Sequence, residues 1–325
     1  MRKYPSEDSI TVTRHYYSRQ HRTFETSLDV YVPSSSTTRI SSIVVLVVGS
    51  AWMGHTPWIY RGTSWWNRAG PRAVAQTSLC ICVRHRGAFF QIPSPSILCV
   101  ILLVSWLGTT SFWITLFLFL TWMWLKMVGQ DAASLAEMQS DVEQAIQWIQ
   151  QNKSNLCGQY TGGKDVPMYF GGYSSGAHVA LTVLQRSAEL TSVFQGIVLL
   201  SGVLAVRPAE VLPEKDHPRW LTDSILQIVF GLKDAKSIPS PLAGTIPPLP
   251  HLIIGCEEEL WGWNWLNVFF CSRSYAEKAR HCGIPVSYHE IVSDHWFILS
   301  HPELPKLLQR ELPRLVPSSS EQEQS

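Results

Sequence analysis

The run Gly172-Tyr173-Ser174-Ser175-Gly176 is the first place in this chain where residue types and spacing point to chemistry. A serine between two glycines, each two residues away, suits a sharp turn that exposes a hydroxyl. The context supports that turn. Pro167-Met168-Tyr169-Phe170 reads as a short strand, and Ala177-His178-Val179-Ala180-Leu181 opens a helix. Ser174 then stands at a strand-to-helix junction as a candidate nucleophile, and the helix N-terminus behind it favours developing negative charge.

A serine nucleophile needs a base, and the base needs a group to orient it. His295, in Ser293-Asp294-His295-Trp296-Phe297, follows the last expected strand and is the candidate base. His301 and His289 are rivals, although His289 falls inside an alternating strand pattern. The order nucleophile, acid, histidine places the acid after the strand at 251–255, where the chain reads Gly255-Cys256-Glu257-Glu258-Glu259. Glu258 is the candidate acid, with Glu257 and Glu259 left open. The oxyanion of an acyl-transfer intermediate needs backbone N–H donors. Ser175 and the small-residue loop Gly49-Ser50-Ala51 are placed to supply them. Trp52, Tyr173 and Trp261 are candidates for the substrate pocket, because they border strand ends where ligands bind in open α/β sheets. No metal or organic cofactor is expected for this chemistry.

These residues must be positioned by a frame, and the chain outlines one. Alternating or continuously apolar segments at 27–32, 41–48, 79–84, 168–171, 196–200, 251–255 and 285–292 predict strands. Helical spacing at 131–152, 175–185 and 272–282 predicts helices between them. Strands alternating with helices imply a mostly parallel sheet covered on both faces.

Several motifs then align with a known family. Leu28-Asp29-Val30-Tyr31-Val32-Pro33 followed by Gly49-Ser50-Ala51-Trp52 resembles the "LDVYxP … HGGAW" opening of certain esterases. These are the isoprenylcysteine methylesterase and kynurenine-formamidase-like branch of the α/β-hydrolases. Gly172-Tyr173-Ser174-Ser175-Gly176-Ala177-His178-Val179-Ala180 is similar to the "GxSAGAHxA" of the methylesterases. The resemblance covers roughly residues 27 to 300. It implies an α/β-hydrolase fold and a serine carboxylesterase using Ser174, His295 and Glu258. By the same resemblance Gly49, Ser50, Ala51 and Ser175 form the oxyanion hole. His178 matches a packing position. Val48 and Ser50 depart from the His and second Gly of "HGG", and a Glu stands where the family has Asp.

Bulk composition adds limits. The 325 residues carry a formal net charge of +1 and only 16% charged residues, which argues against nucleic acid as a partner. Seven Cys, an odd number, with no apolar run in the first thirty residues, suggest a reduced, cytosol-facing protein. Between Gly87 and Leu125 there is no charged residue, and positions 97–125 are rich in Leu, Ile, Phe and Trp. A span of about 20 apolar residues crosses a bilayer. A single crossing would split the sheet, so the expectation is an inserted membrane hairpin turning at Gly108-Thr109-Thr110-Ser111. The expected organisation is an N-terminal extension at 1–26, a hydrolase domain at 27–86 and 130–316, the hydrophobic insertion at 87–129, and a disordered tail at 317–325. The expected activity is a membrane-associated esterase, on an endomembrane such as the endoplasmic reticulum, hydrolysing a lipophilic ester. An inactive binding module of the same fold, or an amidase or formamidase with the same triad, are the competing expectations.

Overall fold

A computed structural model describes residues 10–18, 25–33, 40–52, 54, 64–88, 133–161, 165–206, 219–230, 237–258 and 269–315. For 64–68, 157–161, 219–222, 224, 228 and 258 it describes the backbone. The elements in chain order are β1 (Ile10–Tyr16), β2 (Ser27–Pro33), β3 (Ile43–Val47), α1 (Ser64–Val74), β4 (Leu79–Val83), α2 (Leu135–Thr161), β5 (Met168–Tyr173), α3 (Ser175–Arg186), α4 (Ala188–Thr191), β6 (Gly196–Leu200), α5 (Arg219–Phe230), β7 (His251–Glu258), α6 (Ser272–His281), β8 (Val286–Asp294) and α7 (Glu303–Glu311).

The strands form one sheet in the order β1-β2-β4-β3-β5-β6-β7-β8. β2 is antiparallel to both of its neighbours, and every pair from β4 to β8 is parallel. Strand order reverses at β3, which lies between β4 and β5. The chain first steps outward from β3 to β4, then crosses back to β5. The C-terminal ends of β3 and β5 therefore flank a topological switch point, the crevice where open sheets bind ligands.

Alternation along the strands divides the core in two. Ile43, Val45, Val47, Leu79, Ile81, Val83, Phe170, Ile197 and Leu199 face a layer containing Met138, Val142 and Ile146 of α2 and Val179 and Val183 of α3. Val44, Leu46, Cys80, Cys82, Tyr169, Val198 and Leu200 face the opposite layer, with Val74 of α1 and Leu304 and Leu308 of α7. A strand covered on both faces must be apolar at every position, as β3 is.

Local chemistry fixes the helix that precedes the nucleophile. The Ser134 hydroxyl accepts from the Glu137 amide at 3.3 Å, and the Glu137 carboxylate accepts from the Ser134 amide at 2.8 Å. This reciprocal capping box starts α2 at Leu135 rather than at Asp131. The antiparallel edge is tied by charge. Asp29 on β2 takes a two-pronged bond from Arg14 on β1 and an ion pair from fully buried Arg84, which follows β4. Burial alone would raise the Asp29 carboxyl, but the two guanidinium groups hold it below the usual range.

Three features differ from the sequence expectation. Positions 10–16, assigned to an extension ahead of the domain, form the edge strand β1. Positions 64–74, where no element was expected, form α1. The inserted membrane hairpin is overturned. Among the described residues no helix is long and apolar enough to cross a membrane. α2 is long enough but carries Glu137, Asp141, Glu143 and Lys153. An uncharged stretch records only a low cost of leaving water, and hydropathy does not specify a bilayer as the destination. Positions 89–132, which include the apolar run 97–125, lie outside the described residues.

Candidate active site

Ser174 sits between β5 and α3 with φ 56° and ψ −131°. A non-glycine residue at positive φ is strained, and such strain persists only where the surroundings enforce it. Here the Ser174 amide donates to the Leu200 carbonyl at 3.2 Å, and its carbonyl accepts from the amides of Ala177 and Val203 at 3.1 and 2.9 Å. Gly176 lets α3 lie against β3: a Cβ there would stand 2.2 Å from the Val47 carbonyl oxygen. Gly49 serves the same close approach from the other side, since its Cβ would stand 2.4 Å from Ser174 Cβ.

His295 follows β8, and its Nε2 lies 2.9 Å from Ser174 Oγ. The ring is buried, 3% exposed, and packed on three aromatic neighbours. It stacks on Tyr173 at a centroid distance of 5.0 Å and meets Phe270 at 4.5 Å and Trp296 at 5.3 Å. The Tyr173 hydroxyl donates to the His295 carbonyl at 2.7 Å, fixing the backbone that carries the ring. Asp294, one residue earlier, spends its carboxylate on the amides of Trp296 and Phe297, at 2.8 and 3.0 Å. That turn presents Trp296 and Phe297 to solvent, 43% and 52% exposed.

The second ring nitrogen meets a residue that sequence reasoning missed. Ser201 Oγ stands 2.7 Å from His295 Nδ1. Ser201 directly follows β6, is fully buried, and has φ 42°. Glu258 closes β7, paired in register with Asp294 of β8 across an irregularity between Cys256 and Glu258. The Glu258 side chain lies outside the described residues, as does all of Glu259, while Glu257 is exposed.

The loop after β3 is held from α3. The Ser175 hydroxyl accepts from the amides of Ser50 and Trp52, at 3.0 and 3.1 Å. The Ser50 hydroxyl accepts from the Gly54 amide at 3.0 Å. Ala51 and Trp52 take φ 50° and 59° to make the turn. Of the four residues expected to form the oxyanion hole, Ser50 therefore directs its amide to Ser175 Oγ. Gly49 lies against Ser174, and Ser175 opens α3 immediately after it.

The pocket candidates divide. Trp52 is 5% exposed, donates from Nε1 to His178 Nδ1 at 3.2 Å, and packs edge-on against Phe230. Tyr173 lies beneath the His295 ring. Trp261 lies outside the described residues. His178 is fully buried and its Nε2 donates to the Pro239 carbonyl at 2.8 Å. Burial pushes its pKa down to about 4, against the opposing pull of that carbonyl, so it is neutral at pH 7. Among the described residues no group of three or more His, Cys, Asp or Glu is placed to hold a metal ion.

No family model and no curated protein matches this chain. Solved structures do. An inhibited esterase B from Lactobacillus rhamnosis is similar with a TM-score of 0.60 and 14% identity, over 99% of this chain and 91% of that one. A carbohydrate esterase from gut microbiota, in truncated form, has a TM-score of 0.59 and 16% identity, over 96% and 99%. Carboxyl esterase 2 from the mycorrhizal fungus Tuber melanosporum has a TM-score of 0.58 and 14% identity, over 96% and 90%. At these identities the likeness is one of fold, and with the strand order and the elbow at Ser174 it gives this chain the α/β-hydrolase fold.

Proposed function

We propose that this protein is a serine hydrolase that cleaves carboxylic esters through an acyl-enzyme on Ser174. The observation that carries the reading is the 2.9 Å approach of Ser174 Oγ to His295 Nε2, with Ser174 held at a strained elbow. His295 takes the Ser174 proton as Oγ attacks the ester carbonyl. The tetrahedral intermediate collapses, and the proton passes from His295 to the departing alcohol. Water then repeats the sequence, releasing the acid and restoring Ser174. We assign the oxyanion to the Ser175 amide at the N-terminus of α3 and to the facing Gly49 loop. The amides of Ser50 and Trp52 support that loop from behind through Ser175 Oγ.

A lipophilic acyl or alcohol group suits the site because Trp296 and Phe297 present apolar surface beside His295. Esters are preferred to amides here because the similar solved structures are named as esterases. One observation favours a second reading, an inactive binding module of the same fold: the Ser50 amide is engaged by a side chain rather than aimed at a substrate oxygen. A fluorophosphonate probe separates the two. The serine hydrolase reading expects covalent labelling of the wild type and none of Ser174→Ala. Wild type that stays unlabelled beside a labelled control esterase selects the binding module. Labelling that survives Ser174→Ala moves the nucleophile elsewhere.

A further inference from the structure

We infer that Ser201 is a positioning residue for His295, holding the imidazole through Nδ1 with a hydroxyl. The inference rests on the proposed roles of Ser174 and His295, and it deepens them.

The position is favourable in the fold. Ser201 directly follows β6, which lies between the strand that carries the nucleophile and the strand after which an acid is expected. The β6 end therefore faces the base from inside the sheet. The backbone is set for the task. Ser201 takes φ 42°, a conformation that side-chain-bearing residues rarely adopt, and its amide is tied to the Ile254 carbonyl at 2.7 Å. Strain of this kind is retained where the surroundings enforce it, and it gathers at functional sites.

The hydrogen-bond chemistry gives the contact a direction. A neutral imidazole carries one N–H and one lone pair. For His295 to take a proton from Ser174, the lone pair must be on Nε2 and the proton on Nδ1. Ser201 Oγ at 2.7 Å accepts that proton's hydrogen bond. The Cys256 thiol also reaches Ser201 Oγ, at 3.7 Å, as a donor. Two donors converging on one oxygen define it as an acceptor. The line Ser201 Oγ, His295 Nδ1, His295 Nε2, Ser174 Oγ then runs through the ring, with the imidazole proton on Nδ1 and the Ser174 proton directed at Nε2. The hydroxyl selects the tautomer and the ring angle.

The test uses the full chain and three substitutions at Ser201. Ser201→Ala and Ser201→Gly both remove the hydroxyl, and glycine accepts φ 42° freely, so at least one variant stays folded. Ser201→Asn restores an acceptor and tolerates the left-handed backbone. Nitrogen-15 histidine spectra at neutral pH, with the His295 signals assigned by their loss in His295→Gln, report the tautomer. Steady-state kinetics on a short-chain ester report kcat and KM. We expect wild-type His295 in the Nδ1–H form, with that population lost in Ser201→Gly. We expect kcat to fall about 10- to 100-fold with KM within about threefold, since orientation rather than binding is removed. Ser201→Asn should regain most of both. Retention of the tautomer and of kcat within twofold in Ser201→Gly overturns the inference. So does a loss of kcat in a folded Ser201→Gly with the tautomer unchanged. The spectra need no substrate, so they stand even if the wild type hydrolyses no ester.

Discussion

Two buried histidines, His178 and His295, differ in what their nitrogens touch. His178, on α3, is bonded to an indole N–H and a peptide carbonyl. His295, after β8, stands between two hydroxyls, Ser174 and Ser201. Both rings are almost wholly shielded from solvent, and both contact aromatic side chains. Burial and aromatic packing therefore do not separate a base from a structural ring. The partners do. An indole and a carbonyl can hold a ring but give up no proton in the working pH range, whereas a serine hydroxyl beside Nε2 gives up its proton as it attacks.

The sharpest way to break this contrast is to remove each ring. His295→Gln should lower kcat by roughly 10⁶-fold while leaving the protein folded, the scale seen when a base is lost from a working triad. His178→Ala should instead destabilise the protein by about 3 kcal/mol, because Trp52 Nε1 and the Pro239 carbonyl lose their shared partner. The activity of its folded fraction should stay within about tenfold of wild type. Activity assays paired with urea unfolding give both readings. Equal kinetic losses in the two variants would erase the distinction.

A pH series tests the same contrast more gently. Burial holds His178 and His251 down at about 4, below the unfolded value near 6.5. The unfolded chain therefore binds protons first as pH falls. The stability these two rings contribute as neutral groups is complete above about pH 6.5 and is lost progressively toward pH 4. By pH 5 the loss should be about 2 kcal/mol for each ring. The melting temperature should fall steadily from pH 7.5 to pH 5, and less steeply in His178→Ala. A flat profile would mean that these rings are reached by water. The smallest expected effect is at Tyr173→Phe. The ring still stacks on His295, but its hydrogen bond to the His295 carbonyl is gone. A loss of about 1 kcal/mol, seen as a three- to tenfold lower kcat at unchanged KM, is expected. A loss in KM alone would return Tyr173 to the substrate pocket.

Local signals carried much of this site into the sequence. The turn at Ser174 is built from neighbours in the chain, so its glycines and its flanking strand and helix are legible together. His295 is legible because it closes the last strand. Ser201 is not. It stands in Leu199-Leu200-Ser201-Gly202-Val203, where a lone serine carries no charge and no spacing pattern. Its meaning comes from the ends of β6 and β8 meeting in space, 94 residues apart in the chain. A small polar residue directly after a buried strand was the available clue. β1 escaped notice because an edge strand keeps one face polar: only its first and sixth residues are partly covered. α1 carries Gly70 and Pro71, residue types that argue against a helix interior. The uncharged run at 97–125 was legible as apolar, but that property does not choose its surroundings.

The clamp between Ser175 and the loop after β3 carries a consequence for how this sequence can vary. The Ser175 hydroxyl accepts from the backbone amides of Ser50 and Trp52, so the clamp depends on the side chain at 175 and not on the one at 50. Restoring alanine at 175 alone would withdraw the acceptor from two amides in a loop that has already committed its turn at Ala51 and Trp52. Restoring glycine at 50 alone would withdraw the hydroxyl that accepts the Gly54 amide. The two changes act on separate bonds: the side chain at 175 holds the two amides of the loop, and the side chain at 50 holds only the Gly54 amide.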